Sequence, residues 1–470
     1  MHLTLRVLVL TILAASAGCR MADRPSAGSV RHEPVVKADD GPPSTESGTS
    51  DAPVTGKPAG VLTLREVLML SLSRSPELQV YPYELRAADA RMLQAGLLPN
   101  PEFAIDIEEL AGSGDRSGFD AAETTVRIDQ PIELGGKRTK RTRVAQLDRE
   151  LTEWDYKSAR LDAICEATRA FVAVLAAQDR VVLARKLVEL SRQAQAAVAQ
   201  RVEAGRDSPV DALRASVALS TTRIEQQKAE KTLAAARHGL AAVWGGKVAA
   251  FEQVSGSLYE ISPPAPPEDP SAAIMANPDV SRWETQERKQ RAVLHLEKAN
   301  AVPDIAIGGG VQRFEETDDS ALVIGLSVPI PLFDRNQGGI REAVADLAKT
   351  RRLYEAAQVR TLAALSEAVS AMSVAYQEAT ALRDDVLPKA EQAFQAAQDG
   401  YRQGKFDYLS MLDAQRTLFE TQAGYIDAVE ACHGAQADVR RLIGEVRPGM
   451  DDDLSTKILD TPSLEVSNDE

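Results

Sequence analysis

The sequence is poor in aromatic residues, in cysteine and in positive charge, and each shortage excludes a class of protein. Aromatic side chains make up 4% of the 470 residues, so an aromatic-rich globular core is a poor match, and the abundant alanine favours long helices packed through small residues. Cys19, Cys165 and Cys432 are the three cysteines, and their wide spacing predicts neither a disulfide framework nor a zinc site. The formal net charge of −15 argues against a nucleic-acid partner, because the phosphate backbone requires basic surfaces.

No group of residues in the sequence has the spacing of a catalytic, cofactor or metal site. The five histidines are scattered, and none has a second histidine four residues away. Cys432 and His433 are adjacent, and neighbouring residues of a helix do not face a common ligand. The glycines at 135–136 and 308–310 lack the pattern of a phosphate-binding loop. We therefore expect no enzyme activity, no cofactor and no bound metal.

What the sequence does contain is an internal duplication. The stretch 130–138, QPIELGGKR, has a counterpart at 328–335, VPIPLFDR, and in both an alternating run reaches a proline before a basic residue opens a long helical pattern. Proline suits the end of a strand, since it fixes φ and lacks a ladder donor. Gly205 and Gly404 recur at nearly the same spacing. Two copies of one unit of about two hundred residues therefore make up most of the chain.

The ends of the chain and the junction between the repeats differ in composition from the repeats. Residues 1–19 contain an apolar run too short to span a bilayer, and Ala17-Gly18-Cys19 resembles a bacterial lipobox, which predicts a lipidated Cys19. An ordinary signal peptide is the alternative. Residues 20–60 have the composition of a flexible tether. The predicted organisation then continues with repeat 1 over 61–246, a proline-rich linker over 247–268, repeat 2 over 269–446 and an acidic disordered tail over 447–470.

Each repeat contains two segments in which apolar and polar residues alternate strictly. In repeat 1, Asp106 and Glu108 lie opposite the apolar face of the first segment, and Asp129 lies opposite that of the second. Such alternation over about nine to eleven residues is typical of a membrane β-strand, with apolar side chains towards lipid and small or polar ones towards a lumen. A half-buried soluble hairpin has the same pattern. If these three acids face a lumen, they favour cations without selecting among them.

Long helical patterns follow each hairpin. Residues 137–204 contain no proline and predict a helix about 100 Å long, and a second helix is predicted over 209–243. Repeat 2 copies the pair over 335–399 and 406–443. Four strands cannot close a barrel, and helices of this length need neighbours on more than one side. We therefore expect several chains to associate into a ring, with a short β-barrel above a long helical tube.

The order of these elements resembles the TolC-type outer membrane factor family over about residues 62–444, and the stretches 130–138 and 331–338 are particularly similar to its CzcC-type, heavy-metal branch. The resemblance implies a mainly α-helical homotrimer in the outer membrane, with a twelve-stranded β-barrel and a periplasmic tunnel. It implies a periplasmic adaptor and an inner-membrane pump of the resistance-nodulation-division class as partners. The implied function is a passive exit duct, with heavy-metal cations as the expected cargo.

The same resemblance places the functional residues at the helix turns. Residues 400–413 are similar to the family's aperture segment, in which Tyr401 and Asp413 match the residues that constrict the pore. Phe406 stands where the family has a basic residue and Ser410 where it has a second aspartate, and Arg402, Lys405 and Asp407 offer a substitute pairing. Solvated turn residues are the alternative interpretation. The residues that the resemblance assigns to adaptor-docking turns are Gly205, Ser208 and Gly404.

Two other functions stay open at the level of sequence. A drug-efflux or type I secretion duct would have the same fold, and the type of pump encoded beside the gene would identify it. A lipid-anchored periplasmic coiled-coil scaffold without a pore belongs to another class. Such a scaffold would become soluble once Cys19 was replaced, whereas a barrel would still require detergent.

Overall fold

The computed structural model describes residues 60–110, 113–114, 119 and 121–445. The predicted signal peptide, Cys19, the tether as far as residue 59 and the predicted tail lie outside the described residues. Within the described residues, no helix is sufficiently long and apolar to cross a membrane.

The first repeat opens with a short strand and two helices that lead into a β-hairpin. Thr63 caps the first helix in a capping box, in which its backbone N–H donates to the Glu66 carboxylate at 2.7 Å and its side chain accepts from the Glu66 N–H. The helical pattern is interrupted between Arg74 and Tyr81, and Pro82 lies in the first turn of the second helix, where its N–H would have no acceptor. The elements are β1 (Gly60–Thr63), α1 (Leu64–Arg74), a 3₁₀ turn (Leu78–Val80), α2 (Tyr81–Ala95), β2 (Glu102–Glu108) and β3 (Glu123–Ile132).

Two long helices complete the first repeat. Helix α3 (Lys137–Glu203) has 67 residues, and α4 (Pro209–Val243) has 35. Gly205, at φ 69°, turns the chain between them. A left-handed backbone of this kind favours glycine, which has no Cβ to clash with the following carbonyl. The predicted helical hairpin is therefore present in repeat 1.

The junction between the repeats is more ordered than the expected linker. Strand β4 (Phe251–Ser255) pairs in parallel with β1. Phe251 is completely buried, and Val254 joins it in the main apolar core beside Phe171 of α3. A five-residue strand whose partner lies almost two hundred residues earlier gives no local periodicity, so composition alone suggested a linker.

The second repeat follows the same order with one change in its long helix. A π-helical turn interrupts the helix immediately before Pro388, a residue that cannot donate to the carbonyl four positions earlier. The single helix predicted over 335–399 is therefore divided into two helices by this π turn. The elements are α5 (Pro270–Ala273), a 3₁₀ turn (Ile274–Ala276), α6 (Pro278–Asn300), β5 (Ile305–Phe314), β6 (Asp319–Ser327), α7 (Gln337–Ala381), the π turn (Leu382–Val386), α8 (Leu387–Arg402) and α9 (Tyr408–Ile443).

The two hairpins form one antiparallel sheet in the order β2-β3-β5-β6. Apolar residues pair across neighbouring strands on one face, as Ile105 does with Val126 and Val126 with Val311. This face is open to solvent in the single chain, where Leu322 is 85% exposed and Ile324 88% exposed. The alternation predicted from the sequence is therefore present, and it leaves an uncovered apolar surface.

Charged side chains join the sheet to the long helices. The Asp304 carboxylate, just before β5, accepts from the backbone N–H of Leu134 at 2.9 Å and pairs with Lys137 at 2.8 Å. Arg141 of α3 pairs with Glu133 at 2.6 Å. These contacts fix the angle at which the chain leaves the sheet and enters the helix.

Candidate functional site

The candidate site lies at the turns of the two helical hairpins. Gly205 and Gly404 both adopt positive φ, and an added Cβ would meet no atom within 4 Å at either position. Ser208 caps α4 by accepting from the backbone N–H of Val210 at 3.3 Å. Asp407 caps α9 by accepting from the backbone N–H of Ser410 at 3.0 Å. The two turns are therefore built from the same parts, a glycine followed by a capping side chain.

The two hairpins meet at these ends through a small apolar cluster. Tyr401 of α8 is only 3% exposed, and its ring lies 6.1 Å from that of Tyr408 on α9. Val198 of α3 and Ala215 of α4 complete the contact from the other repeat. Because the cluster takes residues from both repeats, moving one hairpin tip away from the other would expose apolar surface.

A polar network covers this cluster and also joins the two repeats. The guanidinium of Arg201 binds both carboxylate oxygens of Asp207 at 2.9 Å. The hydroxyl of Tyr401 donates to the same carboxylate at 2.6 Å. Arg201 donates in addition to the backbone carbonyl of Tyr401 at 3.2 Å and lies over its ring, 4.7 Å from the centroid. We call these three residues the tip latch.

The tip latch shifts the ionisation of its own members. The hydrogen bonds from Arg201 lower the pKa of Asp207, so the carboxylate is charged at neutral pH. Burial, and then the bond to Asp207, raises the pKa of Tyr401, so its hydroxyl remains a donor. The protonation states that the network requires are therefore the ones that its surroundings favour.

The other residues predicted for the aperture lie near the latch but not in it. Arg402 is exposed and pairs with Asp399 at 3.6 Å. Phe406 packs over Gly400, where an added Cβ would meet its ring at 2.2 Å. Asp413 is exposed and pairs with Arg416 on its own helix at 3.1 Å. Among the described residues Arg402 and Asp407 are not paired with each other, since Asp407 accepts from Ser410, and the substitute pairing of Arg402, Lys405 and Asp407 stays a prediction.

Arg201 and Asp207 were not recognised in the sequence as partners of Tyr401. Asp207 lies in a short polar turn, and Arg201 belongs to a helical pattern in which charged residues are common. Their link to Tyr401 spans almost two hundred positions. The equal spacing of the two glycine turns was the signal that could have placed them side by side.

The three acids predicted to face a lumen lie on the polar face of the sheet. Arg127 lies between two of them, with its Nε 3.4 Å from Asp106 and 3.2 Å from Asp129. Glu108 is directly opposite Glu123 on β3. A Cβ at Gly308 would lie 1.8 Å from the Asp129 carboxylate, so the absence of a side chain there makes room for the acid. One basic residue thus clamps two of the acids, and the face keeps a negative excess.

Metal-binding residues are not clustered in the described part of the chain. Within it, no group of three or more His, Cys, Asp or Glu side chains is arranged to hold a metal ion. Nε2 of His433 is 2.7 Å from the Leu258 carbonyl, and Cys432 is buried. Burial and the nearby Asp438 raise the pKa of the Cys165 thiol to about 11, which disfavours the thiolate.

Comparison with known proteins places the chain in a family. The family described as outer membrane efflux protein matches residues 67–246 and 270–445, one match for each repeat. The cobalt-zinc-cadmium resistance protein CzcC of Cupriavidus metallidurans is 33% identical over 401 residues, which cover 85% of this chain and 94% of that protein. The nickel-cobalt-cadmium resistance protein NccC of Alcaligenes xylosoxydans xylosoxydans is 28% identical over 304 residues, 65% of this chain and 69% of that protein.

A solved structure supports the same fold. The structure of CusC, described as showing the conformational changes of folding and transmembrane channel formation, superposes with a TM-score of 0.69. The match covers 86% of this chain and 99% of that one, at 15% sequence identity. The helix, hairpin and helical-hairpin order deduced from the sequence is therefore confirmed. The chain belongs to the outer membrane efflux protein family and is an efflux channel component of the outer membrane, not an enzyme.

Proposed function

We propose that the chain is the exit duct of a tripartite efflux system for heavy-metal cations. The proposal rests on the sequence similarity to CzcC, whose name records resistance to cobalt, zinc and cadmium. The match covers 85% of this chain and 94% of that protein. A periplasmic adaptor and an inner-membrane pump of the resistance-nodulation-division class supply the energy. The chain itself gives the cations a passage and no reaction chemistry.

The duct is a homotrimer. The sheet has two edge strands, β2 and β6, and exposes a continuous apolar face. In hydrocarbon, unpaired strand edges are too costly to persist, and closed barrels of about eight strands or more remove them. Three copies of a four-stranded sheet supply twelve strands. The same association brings the long helices together as a tunnel in the periplasm.

Three groups of residues give the duct its properties, and a lipidated cysteine anchors it. The polar face of the sheet, with Asp106, Glu108 and Asp129, lines the barrel and favours cations. At the other end the tip latch, with Arg402, Phe406, Asp407 and Asp413 close by, forms the inner aperture. The turns at Gly205, Ser208 and Gly404 are the surface for the adaptor. Lipidation of Cys19 adds a second attachment to the outer membrane.

The identity of the cargo is tested in cells that lack their own metal-efflux duct but keep the matching adaptor and pump. Expression of the chain is expected to restore growth in cobalt, zinc or cadmium at concentrations that stop the empty-vector strain. A parallel strain that lacks a drug-efflux duct is the matched control, and its drug sensitivity is expected to stay unchanged. Rescue of drug resistance, or of protein secretion, without rescue of metal resistance would contradict the proposal.

A further inference from the structure

A cavity of about 260 Å³ lies where the two repeats meet. Its walls come from α1 and α3 of repeat 1, from the segment that follows β4 and from α9 of repeat 2. The apolar side chains of its floor are buried, with Leu68 2% exposed and Phe171 3% exposed. Gly256 lies against this floor, since an added Cβ there would be 3.3 Å from Cδ1 of Leu175. The cavity is therefore an apolar site formed by both repeats, separate from the tip latch and from the polar face of the sheet.

The rim of the cavity carries charged side chains of both signs. Glu260 and Glu445 are exposed lining residues. Arg440, about one turn before the end of α9, also lines the cavity. In the described part of the chain its guanidinium has no ion-pair or hydrogen-bond partner, whereas the neighbouring Arg441 is held by two aspartates. An anionic group at the mouth of the cavity would therefore find its partner in Arg440.

The C-terminal end of the chain begins at this rim. Glu445 is the last residue that the structure describes, and the predicted tail over 447–470 follows almost directly. Six residues span at most about 20 Å when extended, and Arg440 lies only about one helical turn from the end of α9. A segment that starts at Glu445 can thus turn back to Arg440 within six residues. The tail combines an acidic stretch with apolar residues, namely Asp451, Asp452, Asp453, Leu454, Ile458 and Leu459.

We propose that this tail docks on its own chain, with the aspartates at 451–453 beside Arg440 and Leu454 in the cavity. Burial of the leucine side chain is the main contribution, because an ion pair at an exposed rim adds little. Arg447, which precedes the aspartates, offers a partner to the acidic side chains of the rim. The composition of the tail predicts disorder when it is considered alone, since it has little apolar surface to bury against itself. The cavity supplies that surface.

Docked in this way, the tail is a strap between the two repeats. Leu68 and Phe171 belong to repeat 1, whereas Arg440 belongs to repeat 2. An occupant of the cavity therefore contacts both repeats at once. Any movement of α9 away from α3 would expose the apolar side chain that fills the cavity, so the docked tail opposes that movement.

Disulfide formation with Cys165 tests the occupant directly, because this native thiol lines the cavity. The full-length chain with Cys432→Ala and Leu454→Cys is purified and oxidised with copper–phenanthroline at mildly alkaline pH. We expect a disulfide within one chain, between Cys165 and the thiol introduced at position 454, and mass spectrometry of the digested protein identifies it. Ser467→Cys, near the end of the same tail, is the matched control for random collision. Cys165→Ala together with Leu454→Cys controls for links to other thiols.

The outcomes of this experiment distinguish the tail from other occupants. A link from Ser467→Cys as efficient as the one from Leu454→Cys would overturn the proposal, as would the absence of any link from Leu454→Cys. A link formed instead by Val54→Cys would assign the cavity to the predicted tether at the other end of the chain. A link between two chains would show that the tail docks on a second copy and not on its own chain.

Thermal unfolding of the full-length protein in detergent measures the same contact without cysteine. Arg440→Gln is expected to lower the unfolding temperature, and so is the combined change Asp451→Asn, Asp452→Asn and Asp453→Asn. Because both changes remove one interaction, joining them should lower the temperature no further than either alone. Arg341→Gln, which removes an exposed charge on α7, is the control and should add independently to the combined change. Additive effects of Arg440→Gln and the aspartate changes would contradict the docked tail.

Discussion

At the scale of single residues, the tip latch is the feature on which the proposed aperture depends. Tyr401 contributes its ring to the apolar cluster and its hydroxyl to Asp207, while Arg201 holds Asp207 and covers the ring. A hydrogen bond to a charged group contributes about 1.5–3 kcal/mol. Each 1.4 kcal/mol changes an equilibrium about tenfold. A single hydroxyl is therefore sufficient to shift the balance between closed and open hairpins.

Removal of that hydroxyl is the sharpest test of the latch. Tyr401→Phe keeps the ring in its cluster but leaves Asp207 with one bonding partner fewer, so we expect a higher single-channel conductance of the purified protein in a planar bilayer. Asp413→Ala is the matched control, because it removes an exposed charge near the latch but no member of the latch. Asp413 pairs with Arg416 on its own helix. A conductance raised by Asp413→Ala and unchanged by Tyr401→Phe would show that exposed charge, and not the latch, sets the aperture.

The latch also predicts how conductance depends on pH. The pKa of Asp207 is lowered. Its contribution to the stability of the tip latch is therefore complete above the usual pKa near 4 and is lost as the pH falls through the lowered pKa. The pKa of Tyr401 is raised. The contribution of its hydroxyl to the stability of the tip latch is therefore complete below the usual pKa near 10 and is lost as the pH rises through the raised pKa. We expect constant conductance from about pH 5 to 9. A rise in conductance that begins near pH 6 would contradict this assignment.

At the scale of helices, glycine sets where two of the long elements end. Gly404 and Gly444 both have positive φ, but their surroundings differ. An added Cβ has open space at Gly404, whereas at Gly444 it would lie 2.7 Å from the backbone carbonyl oxygen of Ala276. Gly444 therefore serves the packing of α9 against the start of repeat 2, and Gly404 serves only the local turn.

Substitution of these two glycines separates the two requirements. Gly404→Ala is expected to cost about 1–2 kcal/mol, the penalty of a left-handed backbone. Gly444→Ala is expected to cost about 1–3 kcal/mol more, because the carbonyl of Ala276 must move. Thermal unfolding of the two variants in detergent measures the difference. Equal unfolding temperatures would mean that the contact of Gly444 with Ala276 does not constrain the fold.

At the scale of the whole molecule, the charge of the sheet determines which ions the proposed duct passes most readily. The polar face carries Asp106, Glu108 and Asp129 against Arg127, which clamps two of the three. In the proposed trimer, three copies around one lumen would multiply this negative excess. A lumen that carries charge of one sign concentrates ions of the opposite charge. This effect weakens as the salt concentration rises, because salt screens the charges.

Substitutions on this face are expected to change ion selectivity in opposite directions. Asp106→Asn with Glu108→Gln should lower the permeability ratio of potassium to chloride, and Arg127→Gln should raise it. Reversal potentials across a planar bilayer with a salt gradient measure both. Asp89→Asn serves as the control, since Asp89 lies on α2 and pairs with Arg149 outside the sheet. A ratio unaffected by either change would remove these residues from the lumen.

Much of the fold could be predicted from the sequence because its signals are local. Period-two alternation marked all four strands of the large sheet, and freedom from proline marked the long α3 helix. The glycines at 205 and 404 marked the hairpin turns, and the repeated QPIEL and VPIPL stretches revealed the duplication. For the strands, the helix and the turns, neighbouring residues determine the backbone or the face on which a side chain lies, so a short window of sequence is sufficient.

Tertiary structure alone decided the contacts between distant parts of the chain. The pairing of β1 with β4, the bonds of Arg201 and Tyr401 to Asp207, and the clamp of Arg127 on two acids have no periodic signal. Each depends on how far one element slides or turns against another, and that is fixed by the packing of side chains from both. The sequence by itself thus determined the elements, their order and their duplication. Which polar residues meet was decided only when the elements packed together.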